Sequence, residues 1–400
     1  MTDFASRIGR TELAATFAMA ARARALRAEG KDVISLSLGE PDFQTPEHVV
    51  QAAYAAAKRG ETKYPPLGGM EALRAAVTTK FNREHGLAIT PQQVLITNGG
   101  KQGIFNSVMS LINAGDEVII PAPAWAGYEQ TVKFAGGKPV FVPCPQEQGF
   151  VLQPEALATA INGRTKLLIL NYPSNPSGAT LSRAEVAALA DVLRQYPHVW
   201  VLSDDIYEHL IFGGTAHETL LGVAPDLNDR VVTLSGVSKT YAMTGWRIGW
   251  CIGPTEMINA ATVVQATTTS GVSSVGQAAA FAALTGPQDF LAEQVAAYEA
   301  RRDAVVAALN QTPGLACHKP DGAFYVFPSI KGCLGKTTPG GKPIRTDDDF
   351  AMALLEEGLV GVVQGSAFAM SPHIRISTAT ALSQLTEACQ RISSFCNALV

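Results

Sequence analysis

The stretch VVTLSGVSKTYAMTGWRIGWCI, Val231–Ile252, holds two short apolar runs, VVTLS (231–235) and IGWCI (248–252), joined by a turn that carries Lys239 and Arg247. Short β-branched runs bounded by small, turn-forming residues are the pattern of buried strands. Only 16% of the chain is charged. A lysine and an arginine set among small, hydroxylated and aromatic residues therefore call for a chemical reason rather than a solubility one.

Four further runs share this character: VLIT (94–97), EVIIP (117–121), LLIL (167–170) and VWVLS (199–203). Helical stretches lie between them, such as 183–195, with apolar residues at helical spacing. The alternation predicts an α/β fold with a mostly parallel sheet of the seven-strand type, covered by helices on both faces. From about residue 288 the pattern changes to long amphipathic helices, as in AEQVAAYEARRDAVVAALN (292–310). GAFYVFPSI (322–330), a Gly/Pro/Lys loop (331–345) and further helices follow, which predicts a smaller α+β lobe. The organisation expected is an amino-terminal arm that joins the small domain (1–45), a large domain (46–290) and a small carboxy-terminal domain (291–400).

The totals exclude several classes. A chain of 400 residues, 47% hydrophobic with a formal net charge of −4, is no disordered tail and carries no basic block for nucleic acid. No apolar run reaches membrane-spanning length, and the opening residues lack the apolar core of a signal peptide, so the expected setting is cytoplasmic. Six cysteines (Cys144, Cys251, Cys317, Cys333, Cys389, Cys396) form no CxxC pair and seven histidines no HxxxH pair. That suits reduced core thiols, with no metal expected.

Ligands of an open parallel sheet bind beyond the carboxyl ends of its strands, so the residues after each run are the informative ones. VLIT runs into NGGKQGIF, where two glycines open a helix and leave backbone N–H groups for an anion. EVIIP leads to Trp125, LLIL to NYPSNPSG, VWVLS to DDIYE and VVTLS to GVSKT. An anion nest, an arginine, a flat aromatic, a carboxylate and a lysine together suit a phosphorylated pyridine aldehyde. The lysine would form an imine with the aldehyde, and the arginine and helix terminus would bind the phosphate. The aromatic would stack on the ring, and the carboxylate would keep the ring nitrogen protonated as an electron sink.

At this point SLGEPDF (37–43), TKYPPLGG (62–69), TNGGKQ (97–102), NYPSNPSG (171–178), SDDIYEHL (203–210), GVSKTYAMTGWRIG (236–249), GAFYVF (322–327) and HIRIS (373–377) are together similar to the motifs of the pyridoxal-phosphate-dependent class I aminotransferases. The bacterial aspartate aminotransferase branch resembles them most, and the match runs along nearly the whole chain in order. The resemblance implies fold type I and pyridoxal 5'-phosphate as cofactor. It implies ping-pong transfer of an amino group to a 2-oxo acid, and a homodimer with shared sites.

Carried over by motif, Lys239 is the lysine that bonds the cofactor and moves the proton. Asp204 pairs with the pyridine nitrogen, Tyr207 and Asn175 hydrogen-bond the ring hydroxyl, and Trp125 stacks. Arg247 and the backbone of Gly100 and Lys101 hold the phosphate, with Ser235 among the cofactor contacts, and Tyr64 reaches the phosphate of the neighbouring subunit. Arg375 clamps the substrate α-carboxylate, since a guanidinium offers a bidentate fork that a lysine lacks. Gly39 lets backbone approach that carboxylate. Lys101, Trp125 and Asn175 complete the substrate contacts.

The implied substrate is aspartate, with 2-oxoglutarate as acceptor; the alternative is an aromatic, prephenate or other neutral amino-acid aminotransferase of the same fold. That branch usually reads R-V-K-P-S-A-T in the segment that here is Arg10-Thr11-Glu12-Leu13-Ala14-Ala15-Thr16. Glu12 for lysine and Ala14 for serine remove groups that favour a second carboxylate, while Lys101 and Thr16 remain. Ala124 and Tyr172, where tyrosine and serine are usual, are expected to alter the pocket wall. A Ser–Lys hydrolase on Ser235 or Ser238 is disfavoured, because position 236 is glycine and no GxSxG occurs. GKTT (335–338) lacks the glycine of a phosphate loop and reads as a flexible loop.

Overall fold

The computed structural model describes residues 4–12 and 15–400. Leu13 and Ala14 lie outside the described residues, as do the side chains of Ala15 and Thr16, so the expectations attached to Ala14 and Thr16 are not addressed by it. No helix among the described residues is long and apolar enough to cross a membrane.

Seven strands form the central sheet: β1 (Val94–Thr97), β2 (Glu117–Ala122), β3 (Lys138–Pro143), β4 (Thr165–Asn171), β5 (Trp200–Asp204), β6 (Val231–Gly236) and β7 (Gly249–Ile252). Their order is β1-β7-β6-β5-β4-β2-β3, with β7 antiparallel to both neighbours and the remaining pairs parallel. Successive residues of each strand enter opposite layers, as the period of two requires. Val94, Ile96, Val201, Val231 and Ile252 join one core, which takes residues from the helices Glu71–His85, Arg183–Arg194 and Ser274–Thr285. Leu95, Leu202, Val232, Leu234 and Cys251 join the other, under the helices Gly100–Leu111 and Thr255–Thr268. Both faces being covered, the strands read as unbroken apolar runs.

Six of the seven strands fall on the apolar runs. The one without a run of its own, β3, lies at the sheet edge. It carries Pro139 and Pro143 and is mostly only half-buried, because proline withholds a ladder N–H and is confined to edges.

A separate core forms the small lobe. Met19, Leu26, Val33 and Leu36 pack there with Val305, Leu309, Phe350, Leu354, Ile376, Leu385 and Ile392. Ile34–Ser35 pairs in parallel with Val360–Gly361, so an early and a late segment meet in one lobe. A second small sheet holds β8 (Tyr325–Val326), β9 (Val363–Gln364) and β10 (Ile374–Ser377), in the order β9-β10-β8. Between the lobes a cluster of Tyr207, Leu210, Phe212, Tyr298, Phe324 and Tyr325 joins the turn after β5 to β8.

Candidate active site

The parallel strands all end at one edge. Asn171 and Asp204 are register partners at the ends of β4 and β5, and Gly236 at the end of β6 pairs with Gly249 at the start of antiparallel β7. Arg247, just before β7, is thereby returned to the edge where Lys239 follows β6. A cavity of about 470 Å³ opens there, within the range of small-molecule sites. It is lined by Gly39, Gly100, Lys101, Trp125, Asn175, Asp204, Tyr207, Lys239, Arg247 and Arg375, with Ser37, Tyr128, Ser238, Tyr325 and Phe368 among their neighbours.

One end suits an anion. Gly99 caps the helix Gly100–Leu111 with a φ of 76°, and a Cβ built on it would overlap the Arg247 guanidinium. Only glycine combines that conformation with that approach, so the free N–H groups of the helix start lie beside an arginine. Arg247 is itself held in a left-handed conformation, φ 59°, with Nη1 donating to the Thr244 carbonyl at 2.7 Å.

Asp204 marks the opposite chemistry. Its carboxylate is buried and accepts from the Tyr128 hydroxyl at 2.6 Å and the Ile206 N–H at 3.2 Å. Burial pushes its pKa up to about 7, against the hydrogen bond from Tyr128. Among the described residues no cation forms a salt bridge with it. A buried carboxylate fixed by a phenol and left without a counter-charge is suited to a protonated ring nitrogen. Trp125 precedes the helix Ala126–Ala135 and stands edge-on to Tyr128, with ring centroids 5.2 Å apart; the Lys101 ammonium lies 5.6 Å from its ring.

Lys239 Nζ donates to the Gly39 carbonyl at 2.6 Å and lies 5.7 Å from the Tyr207 and Phe324 rings. Burial first, then the positive field of Arg375, bring its pKa down to about 8. Arg375, on β10, is buried and donates from Nη1 to Asn175 Oδ1 at 3.0 Å and from Nη2 to the Ser37 carbonyl at 2.6 Å. A guanidinium only donates, so the Asn175 atom facing it is the oxygen and the amide N–H₂ is left for another acceptor. Arg375 Nε is buried without a partner, and no carboxylate pairs with the side chain among the described residues. Its pKa is lowered by burial. A buried cation met only by neutral acceptors is an incomplete carboxylate site.

Some expected residues stand elsewhere. Ser235 is on β6, one residue after the cavity-lining Leu234, and so points through the sheet to its other face. Its hydroxyl donates to Glu208 at 2.5 Å, and Glu208 is paired with Lys80 at 2.8 Å. Ser238, beyond the strand end, lines the cavity instead. Glu84, His85 and Glu208 bring three ligand-type atoms together on that far face, but the Lys80 ammonium bridges the two carboxylates there.

Tyr172 is turned into the large core, where its hydroxyl accepts from the Leu152 N–H at 3.0 Å, and Ala124 is buried with its N–H on the Phe368 carbonyl. Neither is a lining residue of the main cavity, so they do not form its wall as expected. Glu12 is exposed, and among the described residues its backbone N–H donates to Gln130. Tyr64 is 97% exposed and apart from the cavity of its own chain.

Two further cavity residues carry no role in the motif reading, although Tyr325 lies within GAFYVF. Tyr128 lies in the first turn of the helix that begins just after Trp125, so its place beside the strand ends could have been read. Tyr325 could not. Its hydroxyl is 2.9 Å from that of Tyr207 and its ring 4.7 Å from the Arg375 guanidinium, but it lies on a two-residue strand whose pairing no local pattern specifies.

A family model described as aminotransferase class I and II matches residues 31–392. The chain is 50% identical to a probable aspartate/prephenate aminotransferase of Rhizobium leguminosarum bv. phaseoli and to the aspartate/prephenate aminotransferase of Cereibacter sphaeroides, covering all of each chain in both cases. Among solved structures it is similar to the aspartate aminotransferase from Rhizobium meliloti, with a TM-score of 0.97 and 49% identity over the whole of both chains. It is also similar to the Thermus thermophilus aspartate aminotransferase with maleate, with a TM-score of 0.92 and 38% identity over 99% of this chain and all of the other.

Proposed function

Because the chain belongs to the class I and II aminotransferases and is a transaminase that depends on pyridoxal 5'-phosphate, we propose that it moves the amino group of aspartate to a 2-oxo acid, with 2-oxoglutarate as first acceptor. The observation that carries the substrate assignment is a pair of cations on one cavity. Among the described residues Arg375 is buried without a carboxylate partner, and Lys101 lies at the Trp125 side. A substrate with two carboxylates satisfies both. The names of the Rhizobium and Cereibacter relatives, and the maleate with the Thermus one, support a dicarboxylate. Those names also favour a second reading, prephenate as acceptor, since it too carries two carboxylates.

The donor set fits the cofactor: a nest and arginine for a phosphate, an indole, a buried carboxylate and an amine of lowered pKa. When bound, pyridoxal phosphate supplies an aldehyde carbon for an amine and a protonated pyridine ring that draws electrons from the bond being broken. Arg247 and the Gly100 and Lys101 N–H groups would hold the phosphate, Trp125 would cover the ring, and Asp204, kept in place by Tyr128, would face the ring nitrogen. Tyr207 and the Asn175 amide would meet the ring oxygen.

Lys239 would bond the aldehyde carbon. When free, its Nζ would be the base that holds and moves the proton of the substrate Cα. Arg375 orients the substrate through its α-carboxylate, and the packed aromatics between the lobes exclude water. We further read the protein as a cytoplasmic homodimer. Its six cysteines are buried and free, which suits a reducing compartment. Tyr54, Tyr64, Leu67, Val263 and Phe281 are exposed apolar residues of the kind a subunit interface covers, and Tyr64 would reach the neighbouring subunit's phosphate.

Visible absorption of the loaded protein, titrated with aspartate, glutamate, phenylalanine, alanine and lysine, tests this. Aspartate should bleach the band of the lysine-linked cofactor, and 2-oxoglutarate or prephenate should restore it. A band that no amino donor changes would remove the transaminase assignment from this pocket.

Lys101→Ala should lower kcat/KM for dicarboxylates by roughly ten- to a hundredfold, the worth of one charged hydrogen bond, and leave phenylalanine nearly unchanged. Equal losses for both would take Lys101 out of the specificity argument. Arg375→Lys should raise KM for every amino acid by a similar factor, about tenfold or more, because the fork is lost whatever the side chain. Unaltered kinetics would contradict the clamp.

A further inference from the structure

Two phenol hydroxyls 2.9 Å apart, Tyr207 and Tyr325, share a single hydrogen bond, and either can be its donor. Both side chains are buried, and burial holds both above the usual phenol pKa, so each keeps its proton. The groups around them are Arg375 from β10, Asp204 from the end of β5, Lys239 after β6 and Glu40 on the cavity rim.

The other half of Tyr325 does different work. Arg375 Cζ lies 4.7 Å from its ring and 4.9 Å from that of Phe368, so two aromatic rings hold a guanidinium that no carboxylate among the described residues balances. From a third side, a Cβ on Gly39 would overlap the Tyr325 hydroxyl, which leaves that oxygen little room to move.

We propose that Tyr325 is a positioning residue for both ligands: its ring sets the carboxylate-binding Arg375, and its hydroxyl donates to Tyr207, so that Tyr207 donates in turn to the cofactor's ring oxygen. The inference rests on the reading above that Tyr207 meets that oxygen. An ionised ring oxygen has no hydrogen to give, so Tyr207 must spend its own on it. The bond between the two phenols can then only be donated by Tyr325. One side chain thus serves cofactor binding with its hydroxyl and substrate binding with its ring, and the two roles separate by mutation.

The test uses Tyr325→Phe, Tyr325→Leu, Tyr207→Phe and the double phenylalanine variant. Two dissociation constants are read for each. The first is that of pyridoxal phosphate for the stripped protein. The second is that of maleate for the loaded protein, followed as a spectral shift, because maleate occupies a carboxylate clamp without an amine.

Tyr325→Phe should weaken cofactor binding roughly tenfold and leave maleate within about twofold. Tyr325→Leu should weaken both. The double phenylalanine variant should bind cofactor no worse than Tyr207→Phe alone, since both act through one chain of hydrogen bonds. If Tyr207→Phe weakens cofactor binding and Tyr325→Phe does not, the hydroxyl role is wrong while the assignment of Tyr207 stands. If neither weakens it, both fall. If Tyr325→Leu leaves maleate binding intact, the ring role is wrong.

Discussion

Lys239→Ala should leave a folded protein in which amino transfer has dropped by roughly 10⁴-fold or more, because bonding of the cofactor and movement of the Cα proton rest on the same amine. The fold should survive, since the side chain contributes one hydrogen bond, to the Gly39 carbonyl, and its buried charge is a cost in the empty pocket. The absorption of the lysine-linked cofactor should be missing from the variant, although pyridoxal phosphate is still held by its phosphate.

The wild-type protein supplies the control through pH. Burial and Arg375 disfavour the ammonium, so the amine becomes neutral above about 8 rather than near the usual lysine value. Only the neutral amine attacks an aldehyde. Capture of pyridoxal phosphate by the stripped protein should therefore quicken about tenfold per pH unit up to 8 and level off beyond it. A rate still climbing at pH 10 would deny the lowered pKa, and a persistent lysine-linked band in the variant would deny Lys239 its role.

Asp204→Asn should separate activity from stability in opposite directions. The amide keeps the shape of the carboxylate and still offers an oxygen to Tyr128, so the pocket is preserved; the charge is lost, and with it the weaker contact from the Ile206 N–H at 3.2 Å. Without that charge the protonated ring nitrogen is unbalanced in a buried site, a loss of about 3–5 kcal/mol and hence roughly 10²- to 10³-fold or more in kcat/KM.

Stability runs the other way. The folded carboxyl titrates near 7 instead of at its ordinary 3.8, so between about pH 4 and 7 the folded state holds a proton that the unfolded chain has released. Stability of the stripped protein therefore falls as pH rises through that window, and above it the full penalty of the buried charge remains. The asparagine variant escapes this. At pH 8, without cofactor, it should melt a few degrees higher than the wild type, with each kcal/mol worth roughly 2–4 °C or somewhat less in a chain this long. A lower melting temperature in the variant would mean that the carboxylate is compensated in the empty pocket by something other than Tyr128 and Ile206.

What the sequence discloses and what it hides follow one division. Lys239, Asp204, Trp125 and Gly100 lie just beyond or at the ends of apolar runs, and a parallel sheet delivers such residues to a common edge whatever the details of packing. Arg247 arrives there because the strand after it runs backward, a fact of topology that its motif signals but its own run does not. Errors appear where one residue of register matters. Ser235 is on the strand and faces the wrong layer, while Ser238, three positions on, is past its end and faces the cavity. Tyr172 follows β4 directly, yet its ring enters the large core. β3 was hidden by prolines that an edge tolerates, and the contacts of Tyr325, a residue of the GAFYVF motif, by the shortness of its strand. Local pattern reports which residues are near a strand end; tertiary packing decides which way they turn.

The small lobe joins segments far apart in sequence: residues 19–36 share a core with residues 305–399, and strand pairing joins Ile34 to Val360. During synthesis the seven strands of the large sheet, all complete by residue 252, leave the ribosome well before the first segment meets its partners. Residues 19–36 must wait, unpaired, until the segments after residue 305 have been made. A change in either segment is then felt in one lobe, the lobe that also carries Arg375.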